Sequence, residues 1–305
     1  MSYVVKKFGQ IVGSNIETHP KTSQRLLKLG YALSGLQMKY FPERYLLPHQ
    51  IYASVVCNRL IRYSLGKPEN SAVVNLFFPC ELLHAVGIKP ESVEGFSGYL
   101  NGACCERFFI DYIENVGIPK TLCSYHKTML GAALAKVLPK PKFIMATTMI
   151  CDANIITFRE LADFWGIPLF TVDIPSNNDE DSIGYVENQL KQAVSFIEEN
   201  TDKKFDYEKL KEVIKRENRS MRLYKEYFKE LSVKYIPNDI TSEMYKLLLT
   251  HILNGTEEAE KYFEMILDDA QGQEDRNDKI RILWCHPLPN WQKSIKEIIN
   301  NSPKY

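Results

Sequence analysis

Residues 142–175, KFIMATTMICDANIITFRELADFWGIPLFTVDIP, carry the reading on which the fold turns. The apolar run KFIMATT has the length of a buried strand. NIITFRELADFWG spaces its apolar residues like one face of a helix, and PLFTVDIP is strand-like again. Strand, helix, strand is a crossover unit, and a crossover joins parallel strands. Cys151 and Asp152 stand where the first strand hands over to the helix, with Asp152 expected to cap a helix beginning near Asn154.

The same alternation extends upstream. Ala72-Val73-Val74-Asn75-Leu76-Phe77-Phe78 reads as a buried strand, and Pro79 opens the short helix CELLHAVG, which Gly87 stops. GYLNGACCERFFIDYIENVG and SYHKTMLGAALAKVL follow as two helices. Residues 71–178 are therefore expected to form an α/β domain of Rossmann or flavodoxin type, a mainly parallel sheet with helices on both faces. Residues 1–70 read as a helical N-terminal segment, from TSQRLLKLGYALSGLQ and YASVVCNRLIRYSLG. Residues 179–270 read as a helical connector. It contains DYEKLKEVIKRENRSMRLYKEYFKEL, apolar along one face, then two helices with Thr241 and Thr256 as expected N-caps. Beyond QGQEDRND, the strand KIRILWC and the amphipathic helix WQKSIKEIIN make residues 279–305 the beginning of a second, incomplete α/β domain. One strand and one helix cannot bury their apolar faces alone, so Ile282, Trp284 and Trp291 are expected to be exposed or covered by another molecule.

Composition bounds the function. The 305 residues hold 38 Lys and Arg against 38 Asp and Glu, a formal net charge of zero, which gives no reason to expect nucleic acid or an anionic membrane as partner. Apolar runs are too short to span a bilayer. MSYVVKKFGQ is followed by no apolar signal core, so a cytoplasmic protein is expected. Seven cysteines in a long chain of that kind argue against a disulfide framework. A cysteine that matters here matters as a thiolate.

In an open parallel sheet, ligands collect beyond the carboxyl ends of the strands. Cys151 follows such an end, and Cys123, in TLCSYHK, falls at the start of a helix. A helix N-terminus lowers a thiol pKa, and two thiolates on neighbouring loops suit a metal cluster. The spacing also admits plainer readings. Cys123 and Cys151 are 28 residues apart with no CxxC pair, so both can be packing residues. Zinc held by Cys123, Cys151 and His126 is a further reading, without the usual tight ligand pair. Cys57 belongs to an apolar helix face, and the adjacent Cys104 and Cys105 read as packing. His84 and His126 are either proton-transfer groups or ordinary hydrogen-bonded histidines. No GxxxxGK[ST] phosphate loop occurs.

FFPCELLHAVGIKP, TLCSYHKTMLGAAL and ATTMICDANIITFRELAD resemble three signature segments of the 2-hydroxyacyl-CoA dehydratase family, which includes benzoyl-CoA reductase subunits and double-cubane cluster proteins. The resemblance runs from about residue 5 to the end. It implies a D-component-like subunit of anaerobic metabolism: two flavodoxin-like domains with a [4Fe-4S] cluster, or a double-cubane cluster, held between them by three cysteines. By position, Cys123 and Cys151 are the first two ligands. Cys285 does not match the third, so the chain resembles a member cut short after the opening of its second domain, inactive alone. Where relatives carry a PEEL-like segment this chain has Pro79-Cys80-Glu81-Leu82. Glu81 keeps the matching acid, and Cys80 becomes either an extra ligand or a core residue. The implied reaction removes water from a 2-hydroxyacyl-CoA after one electron forms a ketyl radical, with Glu81 and His126 as candidates for proton transfer. The implied partners are a homologous subunit and an ATP-hydrolysing iron–sulfur activator. The alternatives are a double-cubane-type reductase of small molecules and a non-catalytic partner or assembly subunit; a flavin-binding module has less support, since only FFPCELL follows the first strand.

Overall fold

The computed structural model describes residues 3–275 together with residue 298. The beginning of a second domain expected at residues 279–305, with Cys285 and the apolar surface of Ile282, Trp284 and Trp291, lies outside the described residues.

Three helices come first, α1 (Tyr3–Ser14), α2 (Pro20–Tyr40) and α3 (Pro48–Gly66). Both α2 and α3 open on proline, whose fixed φ and missing N–H suit a first helical turn. The sheet then forms from β1 (Ser71–Val74), β2 (Lys89–Ser92), β3 (Phe143–Thr147) and β4 (Leu169–Val172). All pairings are parallel and the order is β2-β1-β3-β4, the start of a flavodoxin-like sheet. Ala72 lies opposite Phe143, and Ile144 opposite Leu169. Every residue of β1 and β3 is buried, as central strands covered on both faces require.

The crossovers are helical. Between β1 and β2 lies α4 (Glu81–Val86), and between β2 and β3 lie α5 (Val93–Gly102), α6 (Glu106–Asn115) and α7 (Ser124–Leu134). Between β3 and β4 runs α8 (Asp152–Trp165). Gly87 (φ 70°) and Gly166 (φ 57°) end α4 and α8 in the left-handed conformation that glycine alone adopts without a Cβ penalty. On α8, Phe158 and Leu161 are at most 1 % exposed, each worth roughly 2–3 kcal/mol of transfer from water. The chain continues as α9 (Glu180–Asn200), α10 (Tyr207–Leu231), α11 (Ile240–Leu247), a π-helical turn (Leu248–Ile252) and α12 (Glu257–Gln271). Buried side chains from the N-terminal helices, the sheet and these later helices form one continuous hydrophobic cluster.

The α/β reading with a parallel sheet holds, and so does the helical character of residues 180–270. Four local expectations do not. The strand expected over 72–78 ends at Val74, because Asn75 turns away and uses its side chain to bridge to β3. β2 was not expected, since KPES carries proline and two charges; as an edge strand it tolerates Pro90. The helix expected over 98–117 breaks at Cys104, whose φ of 56° interrupts α-helical geometry between α5 and α6. Asp239, not Thr241, caps α11 by accepting from the backbone N–H groups of Thr241 and Ser242, while Thr256 caps α12 as expected.

Candidate functional site

β1 leads to β2 on one side and β3 leads to β4 on the other, so the sheet switches direction between β1 and β3. A crevice forms at such a switch point, outside the carboxyl ends of the strands. Two loops approach it, one after β1 and one after β3.

The loop after β3 is held by its own carbonyl. The Met149 oxygen accepts from Asn75 Nδ2 at 2.8 Å, Asn154 Nδ2 at 2.6 Å and Thr147 Oγ1 at 3.3 Å. The following Met149–Ile150 peptide bond is cis. Cys151 comes next, exposed, in extended conformation as the N-cap of α8, with no hydrogen bond from its side chain to the helix. Asp152 is the first residue of the helix rather than its cap. Around Cys151, Met149, Ile150 and Ile156 leave apolar side chains open to solvent, Ile150 by 68 %.

Cys123 occupies the corresponding place on α7. It is the exposed N-cap, again without a side-chain capping bond. α7 is the last of the three helices that lead from β2 to β3. α7 packs directly against α8. Two adjacent helices thus each carry free N–H groups and partial positive charge at an N-terminus headed by a thiol.

The remaining candidates separate by burial. Cys80 is 0 % exposed and lies in the hydrophobic cluster, where burial holds its thiol well above the usual range. That environment favours the neutral, packed thiol over a ligand and parts it from the two exposed cysteines. Cys57 and Cys105 are likewise buried, and Cys104 is half-buried. His126, one turn into α7, is 5 % exposed; burial pushes its pKa down to about 4, and its Nδ1 has no hydrogen-bond partner. His84 is also lowered to about 4 by burial, and its Nε2 lies 2.9 Å from the Ile252 carbonyl. Glu81, the first residue of α4, is pushed up to about 7 by burial, with the nearby Glu217 of α10 adding to the rise. Among the described residues, no group of three or more His, Cys, Asp and Glu could hold a metal ion.

Sequence reading missed two residues that shape this edge, Asn75 and Lys127. Lys127 is 5 % exposed and donates to Glu114 Oε1 at 2.6 Å and to the Lys120 carbonyl at 2.8 Å. The signals available were a lysine just ahead of the apolar MLGAAL and an asparagine inside the apolar run AVVNLFF.

Residues 75–305 match the family described as 2-hydroxyglutaryl-CoA dehydratase, D-component. The chain belongs to this family. Among dehydratase relatives, it is 26 % identical over 206 residues to the (R)-phenyllactyl-CoA dehydratase alpha subunit of Clostridium sporogenes, covering 64 % of this chain and 50 % of the relative. To the (R)-2-hydroxyisocaproyl-CoA dehydratase alpha subunit of Clostridioides difficile it is 25 % identical over 169 residues, 52 % of this chain and 41 % of the relative. To subunit alpha of the (R)-2-hydroxyglutaryl-CoA dehydratase of Acidaminococcus fermentans it is 26 % identical over 141 residues, 44 % and 29 % respectively. The matches thus span half or less of the length of each of these dehydratase subunits. No helix among the described residues is long and apolar enough to cross a membrane.

Proposed function

We propose that this chain is the cluster-bearing part of a 2-hydroxyacyl-CoA dehydratase alpha subunit, working in the cytoplasm with a companion subunit and an ATP-hydrolysing iron–sulfur activator. One observation carries the reading. The exposed thiols of Cys123 and Cys151 each head one of two adjacent helices in a chain of the dehydratase family.

The donor set suits a [4Fe-4S] cluster as far as it goes. Thiolates are the ligands such clusters take, and helix N-termini supply the N–H donors that tune them. Cys123 and Cys151 are two of the ligands, and a third donor comes from beyond the described residues. A cluster held there would supply one electron to the thioester carbonyl of the substrate.

The chain's own residues handle protons. Loss of water takes one proton from the β-carbon and gives one to the departing hydroxyl, so an acceptor and a donor are both needed. His126, lowered to about 4, is neutral at neutral pH and has an unpartnered Nδ1 to accept. Glu81, raised to about 7, is partly protonated there and can donate. The electron is recovered at the end, because dehydration is redox-neutral overall.

Iron and acid-labile sulfide, counted in protein isolated anaerobically, test the ligand assignment. Cys123→Ser and Cys151→Ser are each expected to lose most of the iron, while Cys57→Ser, in the core, keeps it. Wild-type iron in both of the first two variants would sink the assignment.

A further inference from the structure

Buried polar side chains tie down each of the loops that deliver the two thiols. Ahead of Cys123, the carbonyl of Lys120 accepts from the Nζ of Lys127, which also bonds Glu114 on α6. Ahead of Cys151, the carbonyl of Met149 accepts from Nδ2 of Asn75, which is 0 % exposed and reaches it from beyond β1, alongside Asn154 and Thr147 on either side of the loop itself. The rest of Asn75 is engaged too. Nδ2 also donates to Thr147 Oγ1 at 3.0 Å, and Oδ1 accepts from the Thr147 N–H at 2.9 Å, so the side chain acts as an extra rung between β1 and β3.

A buried ammonium loses much hydration, and replacing a buried ion pair by packed apolar groups is often neutral or stabilising. Stability is therefore a poor account of Lys127. Its geometry is a better one, because a single charged group joins α6, α7 and the loop between them just ahead of the thiol. Asn75 joins β1, β3 and the loop after β3 in the same way. Both carbonyls lie two or three residues before the cysteine they precede, close enough for their position to set its own.

We propose that Lys127 and Asn75 are positioning residues for Cys123 and Cys151, holding the two thiols in place before any ligand arrives. The identity of that ligand rests on the reading above; the positioning does not.

Amide hydrogen exchange and peptide-resolved alkylation by iodoacetamide of the full chain test this. Lys127→Met should speed exchange in residues 117–123 at least tenfold and shift the alkylation rate of Cys123 at least threefold. Residues 148–151, Cys151 and strand β3 should be unchanged. Asn75→Asp keeps an acceptor for the Thr147 N–H but loses the donor to Met149, so it should give the reverse pattern. If Lys127→Met does not fold, Glu114→Gln weakens the same anchor and is read in its place. Loosening of both loops together with β3, or of neither loop, overturns the proposal. The crossed pattern with iron content indifferent to both cysteines supports the positioning and removes the cluster instead.

Discussion

Gly131→Ala is expected to destabilise the protein by about 3 kcal/mol, the upper end for overpacking, and to disturb the Cys123 loop with it. Gly131 lies in α7 where that helix meets the backbone of α6. A Cβ there would sit 2.8 Å from the Phe109 carbonyl carbon and would overlap its oxygen. Backbone cannot rotate aside as a side chain can, so α6 must move away from α7. That movement also pulls Glu114 from Lys127, the anchor of the loop leading to Cys123. Gly184→Ala is the control. It lies in α9 with open space where its Cβ would go, so alanine should stabilise by roughly 0.5–1 kcal/mol through helix propensity. Urea midpoints of the two variants decide the matter, and similar midpoints would mean that the α6–α7 approach is looser than described.

Glu91→Gln should change the pH dependence of stability by about 3 kcal/mol between pH 5 and pH 8. Glu91 sits in β2 at 3 % exposure, with Oε1 lacking any partner. Burial raises its pKa to about 7, opposed in part by a hydrogen bond with Ser64. A carboxyl whose folded pKa lies above its unfolded value binds more protons when folded. Its protonated form is comfortable in the core, so stability falls as pH rises from about 4.5 through 7 and stays lower above that. Glutamine is neutral throughout and lacks this slope. Relative to wild type, the variant should therefore gain stability on going from pH 5 to pH 8. The buried His84 and His126 titrate at lower pH in both proteins and cancel in the difference. A difference between the two proteins that is the same at both pH values would place the carboxyl of Glu91 in contact with water.

Legibility followed the range of the interactions. β3 and α8 could be read because an uninterrupted apolar run gives way to a helical period within a few residues, and each element carries its own signal. β2 could not. KPES is a strand because β1 supplies its ladder and α3 covers it, and nothing in four residues containing proline and glutamate announces either. The break at Cys104 was hidden for a similar reason, since the flanking apolar spacing continues across it.

The sequence by itself determined the α/β class, the parallel crossovers and the place of Cys123 and Cys151, because the end of a strand and the start of a helix are local properties. Only the tertiary structure decided which polar groups hold those thiols and which candidates are buried away from them. Asn75 and Thr147 meet across 72 residues of chain, Lys127 and Glu114 pair between two helices, and Cys80 is enclosed by side chains from other elements. Burial and long-range hydrogen bonds depend on what packs against a residue, and no local pattern records that.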